Sequence, residues 1–113
     1  MSLDHLTSTP DAALRRELGR LARQMLFGTI AERGRVCGKP TCRCARGEKH
    51  PVVQLSYWAP EGQTRGHHVP HPVVESVRAG VAAWHRFEAI ARALAERNRA
   101  QVWTRARRRG QIR

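Results

Sequence analysis

Aromatic side chains make up only 5% of this 113-residue sequence, and there are only nine acidic residues. The first shortage means that any core is built from Leu, Val and Ala. The second bears on chemistry: the acids are scattered singly from Asp4 to Glu96, so no carboxylate cluster suits two-metal catalysis. No stretch approaches eighteen consecutive apolar residues, so no membrane-spanning helix is predicted. The opening MSLDHLTSTPDAAL lacks the basic and apolar regions of a secretory signal. The expectation is a cytoplasmic protein associated with the nucleoid. Cysteine is also sparse. Its three copies fall within eight residues, an odd and crowded set that is not a disulfide framework. In a reducing compartment such thiols read as metal ligands or redox groups.

Positive charge is abundant. Twenty-one basic residues against nine acidic ones give a net charge of +12. Solubility of a small domain needs only about 2–8 charges, so the excess points to a polyanionic partner. The plainer alternative is a compositional bias toward arginine, but such a bias tends to raise the acids as well, and here they stay few.

The pattern predicts an α+β fold in a single zinc-binding domain. Residues 1–9 read as a flexible lead. Thr9 as N-cap, Pro10 at the first helical position and Asp11 near the positive end of the dipole start a helix over 10–27. Leu14, Leu18, Leu21, Met25 and Leu26 form its apolar stripe, and Gly28 is the stop. Residues 29–71 hold the zinc loop and an antiparallel hairpin. Thr29–Val36 and Val52–Trp58 are strand-like, Pro60 and Gly62 mark a turn, and Thr64–Val69 returns. Pro72 opens a long helix over 72–104, packed on the first, with Val81, Trp84 and Phe87 in or beside its apolar stripe. Residues 105–113 form a basic tail.

The chemistry concentrates between Cys37 and His50, where the sequence reads CGKPTCRCARGEKH. This C-x4-C-x-C-x5-H spacing supplies Cys37, Cys42, Cys44 and His50, a Cys3His set suited to tetrahedral structural zinc. The segment has almost no large apolar residue, so burial cannot organise it and a metal can. Gly38, Pro40 and Gly47 shape the turns. Lys39, Arg43, Arg46 and Lys49 favour the thiolates and offset the charge of the zinc site. A free-thiol or redox loop is the alternative, and His67, His68 or His71 could replace His50 as the fourth ligand.

The run CGKPTCRCARGEKHP, followed by LSYW and the helix VVESVRAGVAAWHRFEAIARALAERNR, resembles a family of small uncharacterised bacterial proteins. These share a C-G-K-P-x-C-x-C core with a following G-x-x-H. The resemblance covers about Leu14 to Arg99. It implies the ligands Cys37, Cys42, Cys44 and His50. It also implies a DNA-linked role, since such proteins commonly accompany transposases and other mobile elements. This chain departs from it in its Arg-rich tail and at Val52 and Val53, where relatives tend to be aromatic.

Taken together, these features predict a zinc-stabilised nucleic-acid-binding protein. Its expected partner is nucleic acid, with DNA favoured over RNA, and it would be an accessory or regulatory factor of a recombinase or transposase, not an enzyme. Lys39, Arg43, Arg46 and Lys49 of the loop are expected to touch phosphate, with Arg97, Arg99, Arg105, Arg107, Arg108 and Arg109 of the C-terminal run. Tyr57 and Trp58 could stack on unpaired bases, although strand alternation sends one of them into the core. Two rivals stay open. One is a protein adaptor, or self-association, through the long helix. The other is a metal-dependent nuclease using Tyr57 with His67, His68 and His71. Against the second, His68 and His71 are separated by two residues rather than one.

The ligand set makes a direct prediction. The purified protein should carry about one zinc per chain, and Cys42→Ala should release it with loss of structure, because metal affinity in such a loop is folding energy. Metal analysis and a melting curve check this; a metal-free protein with an unchanged melting curve would refute it.

Overall fold

A computed structural model describes residues 3–35, 38–39, 41, 47 and 50–111. The elements run α1 (Leu3–Ser8), α2 (Asp11–Leu21), β1 (Thr29–Arg35), β2 (His50–Trp58), β3 (Thr64–His68), a 3-10 turn (His71–Val73) and α3 (Val74–Arg108). The α+β architecture predicted from the sequence is the one observed. The chain divides into two compact units, Met1–Met25 with Ala83–Arg113, and Leu26–Ala82. Among the described residues, no helix is long and apolar enough to cross a membrane.

The first unit is helical. Leu14 of α2 and Ile90 of α3 are fully buried together with Leu6 of α1. Leu18, Leu21, Ala89, Ala93 and Leu94 pack around them, at the 3–4 spacing that puts side chains on one helical face. Two arginines of α3 reach α2 on either side of this cluster. Arg86 grips Glu17 with both arms, Nε to Oε2 at 2.7 Å and Nη2 to Oε1 at 3.2 Å. Arg97 Nη1 donates to Asp11 Oδ1 at 2.5 Å, and its Nη2 to the Leu6 carbonyl. The hydrogen bond to Glu17 is the main reason the Arg86 pKa lies above the ordinary guanidinium value; burial opposes it and the Glu17 charge adds to it.

The second unit is a three-stranded antiparallel sheet of order β1-β2-β3. Thr29 pairs with Ser56 and Arg35 with His50, and across the other edge Gln54 pairs with His68 and Trp58 with Thr64. Side chains alternate between faces. Ile30, Glu32, Val53, Leu55, Tyr57 and His67 share one face, where Val53 is buried. Glu32 on that face pairs with Arg78 of α3.

Several boundaries differ from the sequence reading, and four of them have a clear cause in the structure. The lead forms α1, because Leu6 is drawn into the core. Pro10 is the N-cap of α2 rather than its first residue, and its carbonyl accepts the Leu14 amide at 3.1 Å. The helix ends at Leu21 rather than at residue 27, although Met25 and Leu26 continue the apolar period. The reason is tertiary: the Leu26 amide donates to the Gly80 carbonyl at 2.8 Å and the chain turns toward β1. Gly28 is therefore not a helix stop. A Cβ there would come within 2.8 Å of both Leu55 Cδ1 and the Ser56 carbonyl. Finally, the segment assigned to a basic tail is helical through Arg108. Gly110, at φ 70°, closes it: its amide bonds Arg107 O at 3.0 Å and that of Gln111 bonds Ala106 O at 2.9 Å, the Schellman pattern.

Leu14→Ala should cost about 2–5 kcal/mol, the usual range for emptying a buried leucine site. Val102→Ala, at a half-exposed position of α3, should change stability by less than about 0.5 kcal/mol. Equilibrium denaturation of the two variants measures both; equal losses would contradict this placement of the core.

Candidate nucleic-acid interface and zinc loop

The acids with described side chains are already engaged. Asp11, Glu17, Glu32, Glu61, Glu75 and Glu96 each lie in an ion pair with an arginine, and Glu88 is 3.7 Å from His85. What remains is a surplus of arginines that, among the described residues, have no carboxylate to pair with. Arg105, Arg107, Arg108 and Arg109 are exposed, and none is ion-paired with a described residue. A capped helix presents them, so their spacing is set rather than left to a free tail. Arg99, Trp103 and Arg107 recur at four-residue intervals and line one shallow groove; Trp103 is 50% exposed between the two cations. Val102, Arg105 and Arg109 line a second groove beside it.

Two of the C-terminal candidates stand differently. Arg97 belongs to the fold: its guanidinium is taken up by Asp11 and the Leu6 carbonyl, so it is withdrawn from the set expected to touch phosphate. Arg99 pairs with Glu96 one turn away, but both are well exposed, and such surface pairs open at little cost. The sequence reading missed a third group. Arg16, Arg20 and Arg23 of α2 and its following turn are exposed and line a shallow site over Gly19. The signal was present as arginines one helical turn apart on a face without leucine.

Cys37, Cys42 and Cys44 lie outside the described residues, as do Arg43, Arg46 and Lys49; Lys39 is described and exposed. The flanks of the loop are informative. Arg35 pairs with His50 in the β1–β2 ladder, so the backbone of His50 sits at the mouth of the cysteine segment. Gly38 and Gly47 have φ of 83° and 109°, the turn-forming conformation their residue type suggested. His68 pairs with Gln54, four residues farther along β2 than His50, a separation of about 13 Å. His67 is occupied otherwise: its Nε2 shares a 2.8 Å hydrogen bond with Tyr57 Oη, the rings 5.4 Å apart. Strand alternation turns His67 and His68 to opposite faces, so they do not converge on one ion. Among the described residues, no group of three or more His, Cys, Asp or Glu is placed to hold a metal.

A family model, DUF6788, described as a domain of unknown function, matches residues 11–79. The match spans α2, the sheet and the start of α3, and stops short of the C-terminal arginines. No curated protein and no solved structure matches this chain.

The different settings of the arginines predict opposite outcomes for similar substitutions. Arg97→Gln should lower the melting temperature, because Asp11 and the Leu6 carbonyl lose their shared donor. Arg107→Gln should leave it unchanged. Thermal scans of both variants test this, and equal melting temperatures would return Arg97 to the free set.

Proposed function

This chain belongs to the DUF6788 family, whose domain has no assigned function, and on that premise we propose that it is a zinc-stabilised DNA-binding protein that grips phosphates with arginine. The observation that carries this reading is the surplus of Arg105, Arg107, Arg108 and Arg109 on a capped helix, exposed and without an acidic partner among the described residues. Mutual repulsion of such a cluster is relieved when a polyanion binds, and counterion release then drives association. Arginine suits the task because its planar fork matches phosphate oxygens.

Zinc would be structural, held by Cys37, Cys42, Cys44 and His50 with a closed coordination sphere. The pairing of Arg35 with His50 supports His50 over His67, His68 and His71, since it draws the ends of the cysteine segment together. Lys39, Arg43, Arg46 and Lys49 would extend the basic surface from that loop. The resemblance to proteins found beside transposases supports a role as an accessory or regulator of a recombinase, close to the nucleoid. An adaptor role would draw instead on Val102 and Trp103, which stand half-exposed on the same helix.

Titration of a labelled DNA duplex at several salt concentrations tests the reading. If the four arginines each neutralise one phosphate, the logarithm of affinity should fall with a slope of about −3.6 against the logarithm of salt. Removing residues 105–113 should flatten the slope and weaken all sequences alike, because phosphate contacts carry no base information. Absence of binding at low salt would sink the DNA reading and leave the adaptor in front.

A further inference from the structure

One face of the sheet is partly covered, holding the buried Val53 and the Glu32–Arg78 ion pair to α3; the opposite face carries the exposed Trp58. By register, Arg33 of β1, Gln54, Ser56 and Trp58 of β2, and Gly66 and His68 of β3 fall on it. Trp58 is 61% exposed. That is a costly place for the largest apolar side chain unless something stacks on it. Neighbouring Tyr57 turns to the covered face and is engaged with His67. The alternation therefore chooses which aromatic of the pair is available.

The polar end of this face is built rather than incidental. Arg33 Nη2 donates to Gln54 Oε1 at 2.5 Å, which holds the amide of Gln54 in one orientation and leaves its NH2 as a donor. Gly66 makes room for that amide: a Cβ there would meet Gln54 Nε2 at 2.8 Å. Arg33, Gln54 and His68, with Gly34 and Val52, line a groove of about 510 Å3. Among the described residues of the sheet, no Asp or Glu falls on this face. Glu32 points to the other side and pairs with Arg78, and Glu61 in the turn pairs with Arg65. A surface with an exposed indole at one end, fixed donors at the other and no acid among its described residues does not fit a duplex groove. It fits an unpaired strand, whose bases stack on aromatic faces while cations follow its backbone.

We infer that the Trp58 face of the three-stranded sheet binds an unpaired stretch of DNA, with Trp58 stacking a base and Arg33, Gln54 and His68 taking the adjoining phosphate and base edge. Trp58 lies four residues from Gln54 along β2, about 13 Å, so the bound strand runs along β2. This inference rests on the DNA-binding reading and adds a second surface to it, distinct from the C-terminal arginines. The two together suit a protein that meets DNA where duplex gives way to single strand.

The test uses the full chain, a labelled oligothymidylate and a labelled duplex, titrated side by side at low salt. Trp58→Ala should weaken oligothymidylate binding roughly five- to a hundredfold, the range for loss of one stacked base, and leave duplex binding unchanged. Trp58→Phe should restore most of the loss. Arg33→Gln should also weaken the single strand selectively. Melting curves accompany each variant, and the exposure of Trp58 favours intact folding. Oligothymidylate binding that ignores both Trp58→Ala and Arg33→Gln would overturn the inference while leaving duplex binding standing. An oligouridylate bound more tightly, with the same dependence on Trp58, would overturn the assignment to DNA. Failure of the unaltered protein to bind either DNA probe would sink the DNA-binding reading itself.

Discussion

Both compact units of this chain draw on one helix, and the continuity of α3 is the constraint on which the rest depends. Its early turns carry Val81, buried in the sheet unit, and its middle carries Ile90, buried in the helical unit. Each unit has only a handful of buried apolar side chains. A chain of 113 residues buries a limited fraction of its surface, so neither can spare its share of α3. The same helix runs on to Arg108, where its arginines are exposed.

The scarcity of acids governs the electrostatics. The acidic side chains with a described setting serve as local partners: Glu17 and Asp11 bind α3 to α2, Glu32 binds α3 to the sheet, and Glu61 and Glu96 pair within a turn of their own position. Pairs of this kind contribute modestly when exposed and more when partly buried and bidentate, as for Arg86 and Glu17. Because they consume the carboxylates, the arginine excess is left in patches rather than diluted across the surface. Net charge alone would not produce that; the positions of the acids do.

Much of the fold was legible in the residues. The leucine spacing after Pro10, the β-branched and aromatic run before Pro60, and the long apolar stripe after Pro72 each became the expected element. The errors lie at boundaries and have specific causes. Met25 and Leu26 keep the helical period, yet the Leu26 amide is claimed by Gly80 from far along the chain. Gly110 stood after three arginines as a helix terminator, and the positive charge before it reads as a tail unless that glycine is weighed. Leu6 alone could not announce α1, because its value comes from Leu14 and Ile90.

For the candidate site, the sequence by itself determined the chemical inventory: a Cys3His set compact enough for one metal, an arginine surplus, and too few carboxylates for a catalytic cluster. These follow from residue type and short spacing, which need no tertiary information. Only the tertiary structure decided which members of that inventory are free. Arg97 and Arg107 belong to the same basic run, but Arg97 meets Asp11 and the Leu6 carbonyl, whereas Arg107 meets solvent. Tyr57 and Trp58 are adjacent aromatics, but strand alternation turns the first to His67 and leaves the second exposed. The physical reason is the same in both cases. Availability depends on partners distant in sequence, and no local pattern encodes where those partners will lie.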